Sequence, residues 1–412
     1  MFGSIKGDFV TMSIKRRLPT ILKPVWNNVN YAVPMMRNAA PSFPAAAGMP
    51  AKKETDIAAL DFGVRLFQNS IRKQGKGNVL ISPLSILTAF VMAANGARGN
   101  TLAQMENAFG ASVSELNKYL GRYKATQAAG RELLIANAVW LRKNLEIALE
   151  PEFLQAGEKY LNASVHLAPF DTATLEQING WVTKHTNGKI TEILNDLNPC
   201  ATMYLLNAVS FSAEWVESFM VTQVEERDFT KEDGTIQRVE MMCTEEDYYL
   251  RDSCAGGFLK YYKGGRYAFA ALLPKRGIMV AQYAASLTGE RLHSILANPI
   301  HNEVDIELPK FQVEYGIELS SISQEMGIID AFQRQADFSG IGRLKREKLS
   351  LEGALHRTYI SVHENGTDAS AMLLGALASD KKYVHLNRPF VYMIVDCKVN
   401  FPVFIGTVTE IV

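Results

Sequence analysis

The stretch 355-LHRTYISVHENGTDASAMLLGALASDKKYVHLNRPF-390 decides the fold of this chain. It begins with a β-branched strand over 355–362, and a second strand begins at Val384 and runs through Phe390. The segment between them has no proline and only one glycine after Gly366. A surface loop normally turns on glycine, proline, asparagine and aspartate, and a connection this long is usually functional. This segment is therefore the first candidate for function.

Alternate residues of the segment form one face that is small or apolar throughout. The other face carries the charge of Asp368, and no further charge appears before Asp380. That pattern is typical of a half-buried strand with its charge toward solvent. Alanine, leucine and methionine are also good helix formers, so periodicity alone leaves strand and helix open. The inward face comprises Thr367, Ala369, Ala371, Leu373, Gly375 and Leu377.

The rest of the chain is predicted to form a flexible leader and one large domain. The 412 residues are 47% hydrophobic and 21% charged, which is typical of a globular protein with a core of its own. Residues 1–54 place prolines among alanine, methionine and asparagine without lasting periodicity, which favours a disordered leader. No linker, low-complexity tract or repeat interrupts 55–412, so we expect a single domain there.

Hydrophobic periodicity predicts an α+β fold with mostly antiparallel sheets. Helices are expected over 56–71, 84–94, 100–109 and 174–194, the last broken at Asn187-Gly188. Strands are expected over 133–141, 204–211, 266–273, 303–308, 390–396 and 402–409. Helices cluster early and strands late, which argues against a doubly wound α/β fold.

Charge and motif content disfavour several function classes. Forty-three basic residues balance forty-three acidic ones, so no nucleic-acid or anionic-membrane footprint is expected. No apolar stretch reaches the length of about 18 residues that would suggest a membrane span. The nucleophile-elbow, phosphate-loop, dinucleotide and H-E-x-x-H motifs are all missing from the sequence. We therefore expect that this protein is not an enzyme and has neither a cofactor nor a metal site.

Eight groups of residues, taken in order, resemble the serpins over 56–412. The resemblance implies three β-sheets, eight or nine helices and an exposed reactive-centre loop near the C-terminus. The residues that carry it are 78-NVLISPLSI-86 followed by Gly96 and 100-NT-101, 135-IANAVWL-141, 178-INGWVTKHTNGKI-190, 206-LNAVSFSAEWVESF-219, 308-LPKF-311, 326-MGIIDAF-332 with 337-DFSGI-341, 364-ENGTDASA-371 and 384-VHLNRPFVYMI-394.

The resemblance also gives the period-two segment a role as bait for a serine protease. The protease attacks the loop, forms an acyl-enzyme, and the freed loop inserts as an extra strand in the central sheet; serpin loop insertion is a standard example of strand addition. Insertion requires a hinge with a small, uncharged inward face, since a charge buried there would be costly. The implied hinge residues are Glu364, Gly366, Thr367, Ala369 and Ala371.

Four further residues match the family's shutter, the region where the central sheet opens. These shutter residues are Ser82, Ser85, Asn207 and His356. Their side chains are expected to hydrogen-bond one another behind the central strands. A second interpretation is local: Ser82 caps a helix, and Asn207 and His356 form a satisfied buried pair. The two interpretations are compatible, and neither is catalytic.

The sequence offers more than one candidate for the reactive bond. The family's register from Glu364 places it at Asp380–Lys381, but a trypsin-like pocket rejects aspartate. Cleavage after Lys381, or alternatively Lys382, would suit such an enzyme but requires a longer inserting segment. The loop from Glu364 to Pro389 is slightly shorter than in most inhibitory serpins, and it carries the bulky pair Met372-Leu373. Both features favour the alternative of a non-inhibitory binding or carrier module.

The expected partner is a serine protease of the trypsin or chymotrypsin fold, bound by a monomer. Lys118, Arg122 and Lys124 favour a solvated helix face over a heparin-like glycosaminoglycan site. Asn162 and Asn365 begin glycosylation sequons. An extracellular location is expected, with the cytoplasm as the alternative because the N-terminus lacks a continuous apolar signal region.

Overall fold

The computed structural model describes residues 54–127, 132–143, 147–343, 348–364 and 381–412, and these fall into nine α-helices and three β-sheets. The helices are α1 Glu54–Gln74, α2 Pro83–Gly96, α3 Gly99–Phe109, α4 Val113–Gln127, α5 Pro151–Ala156, α6 Thr172–His185, α7 Val280–Ala285, α8 Gly289–Ala297 and α9 Ser320–Glu325. A π-helix spans Gly157–Leu161, and 3₁₀-helices span Val221–Gln223 and Asp330–Phe332.

The strands confirm the predicted α+β class, since ten of the thirteen strand pairings among described residues are antiparallel. They are β1 Val79–Ile81, β2 Leu133–Arg142, β3 Ala148–Leu149, β4 Ala163–Ala168, β5 Met203–Phe211, β6 Val224–Thr230, β7 Ile236–Arg251, β8 Ala255–Tyr261, β9 Tyr267–Pro274, β10 Ile300–Pro309, β11 Phe311–Glu318, β12 Gly342–Arg343, β13 Leu351–Val362, β14 Lys382–His385, β15 Phe390–Asp396 and β16 Phe401–Val408.

The five-stranded sheet has the order β11-β13-β5-β2-β4. Its two middle neighbours, β13 and β5, run parallel, with His356 opposite Asn207. On their outer sides β11 pairs antiparallel with β13, and β2 pairs antiparallel with β5. The centre of this sheet is therefore a parallel seam flanked by antiparallel pairs.

The nine-stranded sheet has the order β1-β16-β15-β9-β8-β7-β10-β14, and β6 pairs with β7 beside this path. The first strand joins the last, with Val79 opposite Thr407. At the other end β14 runs parallel to β10, with Lys382 opposite Val304. A two-stranded sheet of β3 and β12 completes the set within the described residues.

Two hydrophobic cores hold these layers together. In the larger core, α2 packs against β5 and β2 of one sheet and β16 of the other, and nearly every α2 residue is buried. Proline at the first helical position suits α2, since that position needs no N–H donor. In the smaller core, Ile178 and Val182 of α6 pack with Trp140, Tyr204 and Leu206 of the five-stranded sheet. The five-stranded sheet is thus covered on both faces.

Three expectations need correction. The helix predicted over 174–194 is interrupted at Asn187-Gly188 as expected, with φ angles of 51° and 75°, but no helix resumes after them, so α6 ends at His185. The strand predicted from Val384 through Phe390 is two strands, since β14 ends at His385 and the backbone turns, with the Asn387 N–H donating to the His385 carbonyl at 2.8 Å. Glu54, assigned to the leader, begins α1.

The other element predictions are confirmed to within a few residues. Residues 1–53 lie outside the described residues, so the disordered leader stays a prediction. Among the described helices, none combines the length and apolar character needed to cross a bilayer.

Candidate functional site

The parallel seam between β13 and β5 is crossed by a buried polar bridge. The Nδ1 atom of His356 hydrogen-bonds the side-chain oxygen of Asn207 on the facing strand. The other ring nitrogen, Nε2, accepts a hydrogen bond from the backbone N–H of Ser82 at 3.0 Å. Because Nε2 accepts, Nδ1 carries the ring proton and donates to Asn207. The seam is thus fastened to the start of α2 by a neutral histidine.

The Asn207 amide extends this bridge toward β2 and α2. Its nitrogen donates to the side-chain oxygens of Ser85 and Asn137, and it also approaches the Ser85 carbonyl at 3.4 Å. All of these side chains are at least 97% buried. A buried polar group costs free energy unless it is hydrogen-bonded, so the network favours this single closed arrangement of the sheet.

All four shutter residues meet in this network, but Ser82 takes part through its backbone alone. Its Oγ atom is buried and has no hydrogen-bond partner among the described residues, and it does not cap α2. Asn137 belongs to the network and was not predicted from the sequence. The signal available was one asparagine inside the apolar run 135-IANAVWL-141, and only the register of β2 with β5 brings it opposite Asn207.

Burial lowers the pKa of His356 to about 3, because the charged ring would lose its hydration without gaining an anionic partner. The folded pKa lies below the usual value near 6.5. The stability linked to His356 is therefore fully present above about pH 6.5 and is lost as the pH falls from there toward 3.

We expect the His356→Gln variant to lose less stability on acidification than the parent chain. Between pH 6.5 and 4.5 the parent should lose about 2–3 kcal/mol through this one group, at about 1.4 kcal/mol per pH unit. Urea-unfolding midpoints at the two pH values give the comparison. His301→Gln, at an exposed histidine, is the matched control and should keep the parent's pH dependence. Parallel pH profiles for parent and His356→Gln would contradict the assignment.

The end of β13, where the hinge begins, is held by two contacts. The Lys310 ammonium lies 3.0 Å from Oε2 of Glu364 and 2.9 Å from Oε1 of Glu240. The Trp215 indole N–H donates to the His363 carbonyl at 2.9 Å. Lys310 and Trp215 both belong to quoted motifs, 308-LPKF-311 and 206-LNAVSFSAEWVESF-219, although neither was predicted as a site residue.

Glu364 is the only predicted hinge residue among the described residues. Burial opposes ionisation of its carboxyl, but hydrogen bonds from its own backbone N–H and from Lys310 outweigh burial, and the net pKa of Glu364 is lowered. It therefore stays ionised and paired at neutral pH. The remaining predicted residues of this segment, which lie outside the described residues, are Asn365, Gly366, Thr367, Ala369, Ala371 and Asp380.

The far end of the segment is attached to the nine-stranded sheet through Lys381 and Lys382. The Lys381 ammonium contacts the carboxylates of Glu245, Glu303 (3.2 Å) and Asp305 (3.6 Å). Hydrogen bonds to Glu245 and then Glu303, together with the negative charges of Glu245 and Asp305, raise the pKa of Lys381 above the usual lysine value. Lys382 is already the first residue of β14. Either lysine would have to leave these contacts before its side chain could enter a protease pocket.

The other predicted surface residues lie where the sequence placed them. Asn162 is exposed and follows the π-helix with a φ of 48°. Lys118 and Arg122 are exposed on α4, and Lys124 donates to the Glu158 carbonyl. Within the described ranges no three histidine, cysteine, aspartate or glutamate side chains are grouped to hold a metal ion.

Comparison with known proteins agrees with this geometry. Residues 58–411 match the family model described as serpin, serine protease inhibitor. Corticosteroid-binding globulin of Pongo abelii is 31% identical over 358 residues, covering 82% of this chain and 86% of that protein. Alpha-1-antiproteinase 2 of Equus caballus is 29% identical over 377 residues and 88% of each chain. The native state of tengpin, a thermophilic serpin, superimposes with a TM-score of 0.82 at 39% identity, covering 89% of this chain and 96% of tengpin.

Proposed function

This chain belongs to the serpin family, and we propose that it inhibits a serine protease as a suicide substrate. The protease's serine hydroxyl attacks the carbonyl carbon of the reactive bond and forms an ester with it. The peptide nitrogen takes a proton and leaves as the new N-terminus of the C-terminal fragment. The ester-linked segment then inserts between β13 and β5 and carries the protease with it, so that hydrolysis of the ester is not completed.

The parallel seam between β13 and β5 carries this proposal. A segment that leaves the end of β13 and folds back runs antiparallel to β13, and hence antiparallel to β5 as well. Insertion therefore replaces one parallel pairing by two antiparallel ones, which are slightly more stable per residue. Residues 365–380 are sufficient in number to match the 12-residue length of β13. The shutter network is what the incoming strand must separate.

For the reactive bond we propose Asp380–Lys381, or a bond closer to the hinge. Cleavage after Lys381 or Lys382 requires a lysine in the protease's primary pocket. Lys381 is held by three carboxylates, and Lys382 is paired in β14. The proposed target is therefore a protease of the trypsin or chymotrypsin fold whose pocket does not require lysine or arginine.

A non-inhibitory binding or carrier module is the second candidate function. The observation that favours it is the bulky pair Met372-Leu373 on the distal part of the hinge. A relative named corticosteroid-binding globulin has a similar sequence and is named for a ligand rather than for a protease. The two candidates differ in whether the cleaved segment inserts fast enough to retain the protease.

Incubation with a panel of trypsin-, chymotrypsin-, elastase- and aspartate-specific serine proteases separates the candidates. We expect at least one protease to form a complex that survives SDS, with release of a C-terminal fragment whose mass locates the reactive bond. Cleavage by every protease without a covalent complex would contradict the inhibitory proposal and support the binding module. A catalytically inactive Ser→Ala form of the reacting protease is the control and should give no such complex.

We also propose that the protein acts as a monomer and needs no glycosaminoglycan. We propose an extracellular location as well. Light scattering measures the oligomeric state, and protease trapping with and without heparin measures the second point. Peptide mapping of protein from its native source shows whether the exposed Asn162 carries a glycan. A glycan there would establish passage through the secretory route, whereas unmodified sequons would leave the location to be determined by cell fractionation.

A further inference from the structure

A cationic cleft lies where β7 ends, β8 begins and β9 ends. Two adjoining cavities of about 710 and 680 Å³ form it, and both are lined by Arg251, Asp252, Lys275 and Ile300. Among the described side chains that line the cavities, five are cations and one is a carboxylate. The cations are Arg251, Lys275, Arg291, Lys382 and Arg388, and the carboxylate is Asp252.

The single carboxylate of the cleft is already paired with an arginine. Asp252 accepts hydrogen bonds from Nε and Nη2 of Arg291, at 3.1 and 2.7 Å. Within the part of the chain that the structure describes, Arg251, Lys275 and Arg388 form no ion pair. Lys381, close by in the chain, differs because its ammonium contacts three carboxylates. The cleft therefore carries an excess of positive charge on a chain whose net charge is zero.

Arg388 shows that this excess of positive charge is energetically unfavourable. Its guanidinium is half-buried, and Nη2 donates to the Pro274 carbonyl at 2.7 Å. Burial lowers the pKa of Arg388, and repulsion from Arg276 lowers it further. A partly buried cation without a counter-ion is costly, and an anion bound in the cleft would offset that cost. Arginine also binds carboxylates in a bidentate geometry that favours such a ligand.

The cleft offers apolar surface as well as charge. Ile300 is 39% exposed and Tyr383 is 66% exposed, and both line it. A sulfate or phosphate group gains from the cations alone, whereas a peptide can place carboxylates on the cations and apolar side chains on Ile300 and Tyr383. We propose that this cleft binds an acidic peptide segment of a partner protein, one that also carries apolar side chains.

The cleft lies next to the residues that follow Lys381 in the chain. Lys382 and Tyr383 lie one and two residues past Lys381, so we expect a protein that binds the reactive-centre loop to contact the cleft as well. Opposite charges on two such surfaces speed association and fix orientation. The binding site itself does not depend on protease trapping, and its test is separate from the trapping assay.

The test uses a fluorescent octapeptide with six glutamates, one phenylalanine and one leucine. Its binding to the full-length chain is measured by fluorescence anisotropy. Arg251 and Lys275 are exposed, and their side chains make no hydrogen bond within the described residues, so Arg251→Glu/Lys275→Glu should fold normally. We expect this variant to bind the peptide at least about tenfold more weakly in about 0.05 M salt. The matched control, Lys118→Glu/Arg122→Glu on α4, should bind like the parent.

Four further comparisons test the charge of the peptide, the site, the class of ligand and the role of Arg388. A glutamine version of the octapeptide should bind at least about tenfold more weakly, and equal binding would overturn recognition of charge. Equal affinity of the parent and the cleft variant would overturn the site. A sulfated hexasaccharide that binds the parent more tightly than the octapeptide and displaces it would overturn the choice of a peptide ligand. Arg388→Gln should weaken peptide binding as well, and an unchanged affinity would contradict the role given to that guanidinium.

Discussion

Proteolytic cleavage within residues 376–382 is expected to raise the melting temperature of this protein by tens of degrees. The intact chain keeps a parallel seam between β13 and β5, and the severed segment can enter it only when its far end is released from Lys381 and β14. Entry adds a full-length strand with hydrogen bonds on both sides. The intact state is therefore expected to be a kinetic trap, and one cut should allow the chain to reach a state of lower free energy.

Circular dichroism of intact and cleaved protein through a temperature ramp gives the measurement. Mass spectrometry should first establish that a single bond within 376–382 has been cut. A cut elsewhere on the surface, outside the segment, serves as the control and should not raise the transition. Coincident melting curves for intact and loop-cleaved protein would remove the inhibitory proposal and leave the binding module.

The Thr367→Arg variant is expected to be cleaved as an ordinary substrate and to leave no covalent complex. The period-two pattern predicts that Thr367 faces inward after insertion and is the first such position after Glu364. An inward arginine would be buried between two strands without a partner, a cost of about 3–5 kcal/mol. That cost slows insertion by more than about a hundredfold, since each 1.4 kcal/mol is worth a factor of ten. Hydrolysis of the ester then precedes trapping.

Asp368→Arg is the matched control, because parity places residue 368 on the opposite face of the inserted strand. This variant should trap the protease like the parent. Gel densitometry of the complex and the cleaved chain gives the ratio of trapping to turnover for each variant. Full complex formation by Thr367→Arg would show that insertion does not pass through this position.

Local patterns were sufficient to predict most of the fold. The helical spacing of Leu60, Val64 and Phe67 predicts α1, and the runs predicted as strands over 133–141, 204–211 and 402–409 are strands. Errors occurred where backbone conformation outweighs side-chain pattern. No helix resumes after the left-handed Asn187 and Gly188 although the apolar spacing continues, and the turn after His385 divides a run that was predicted as one strand.

The shutter was predictable because the sequence resembles a known family. That resemblance identified Ser82, Ser85, Asn207 and His356, although they lie far apart in the chain. Other contacts join positions far apart in the chain, and no spacing rule reports them. These are the Asn137–Asn207 hydrogen bond, the Lys310–Glu364 ion pair, the Trp215–His363 hydrogen bond and the carboxylates around Lys381.

The pairing of β1 with β16 has a consequence for how the protein is made. The ribosome delivers the N-terminus first, so Val79 waits for Thr407 until translation is nearly complete. β15 and β16 lie between β1 and β9, and the nine-stranded sheet therefore lacks interior strands throughout most of synthesis. β5, β13 and the segment that can enter their seam are all translated earlier. We therefore expect the state without insertion to form when β15 and β16 dock before the segment enters the seam between β13 and β5.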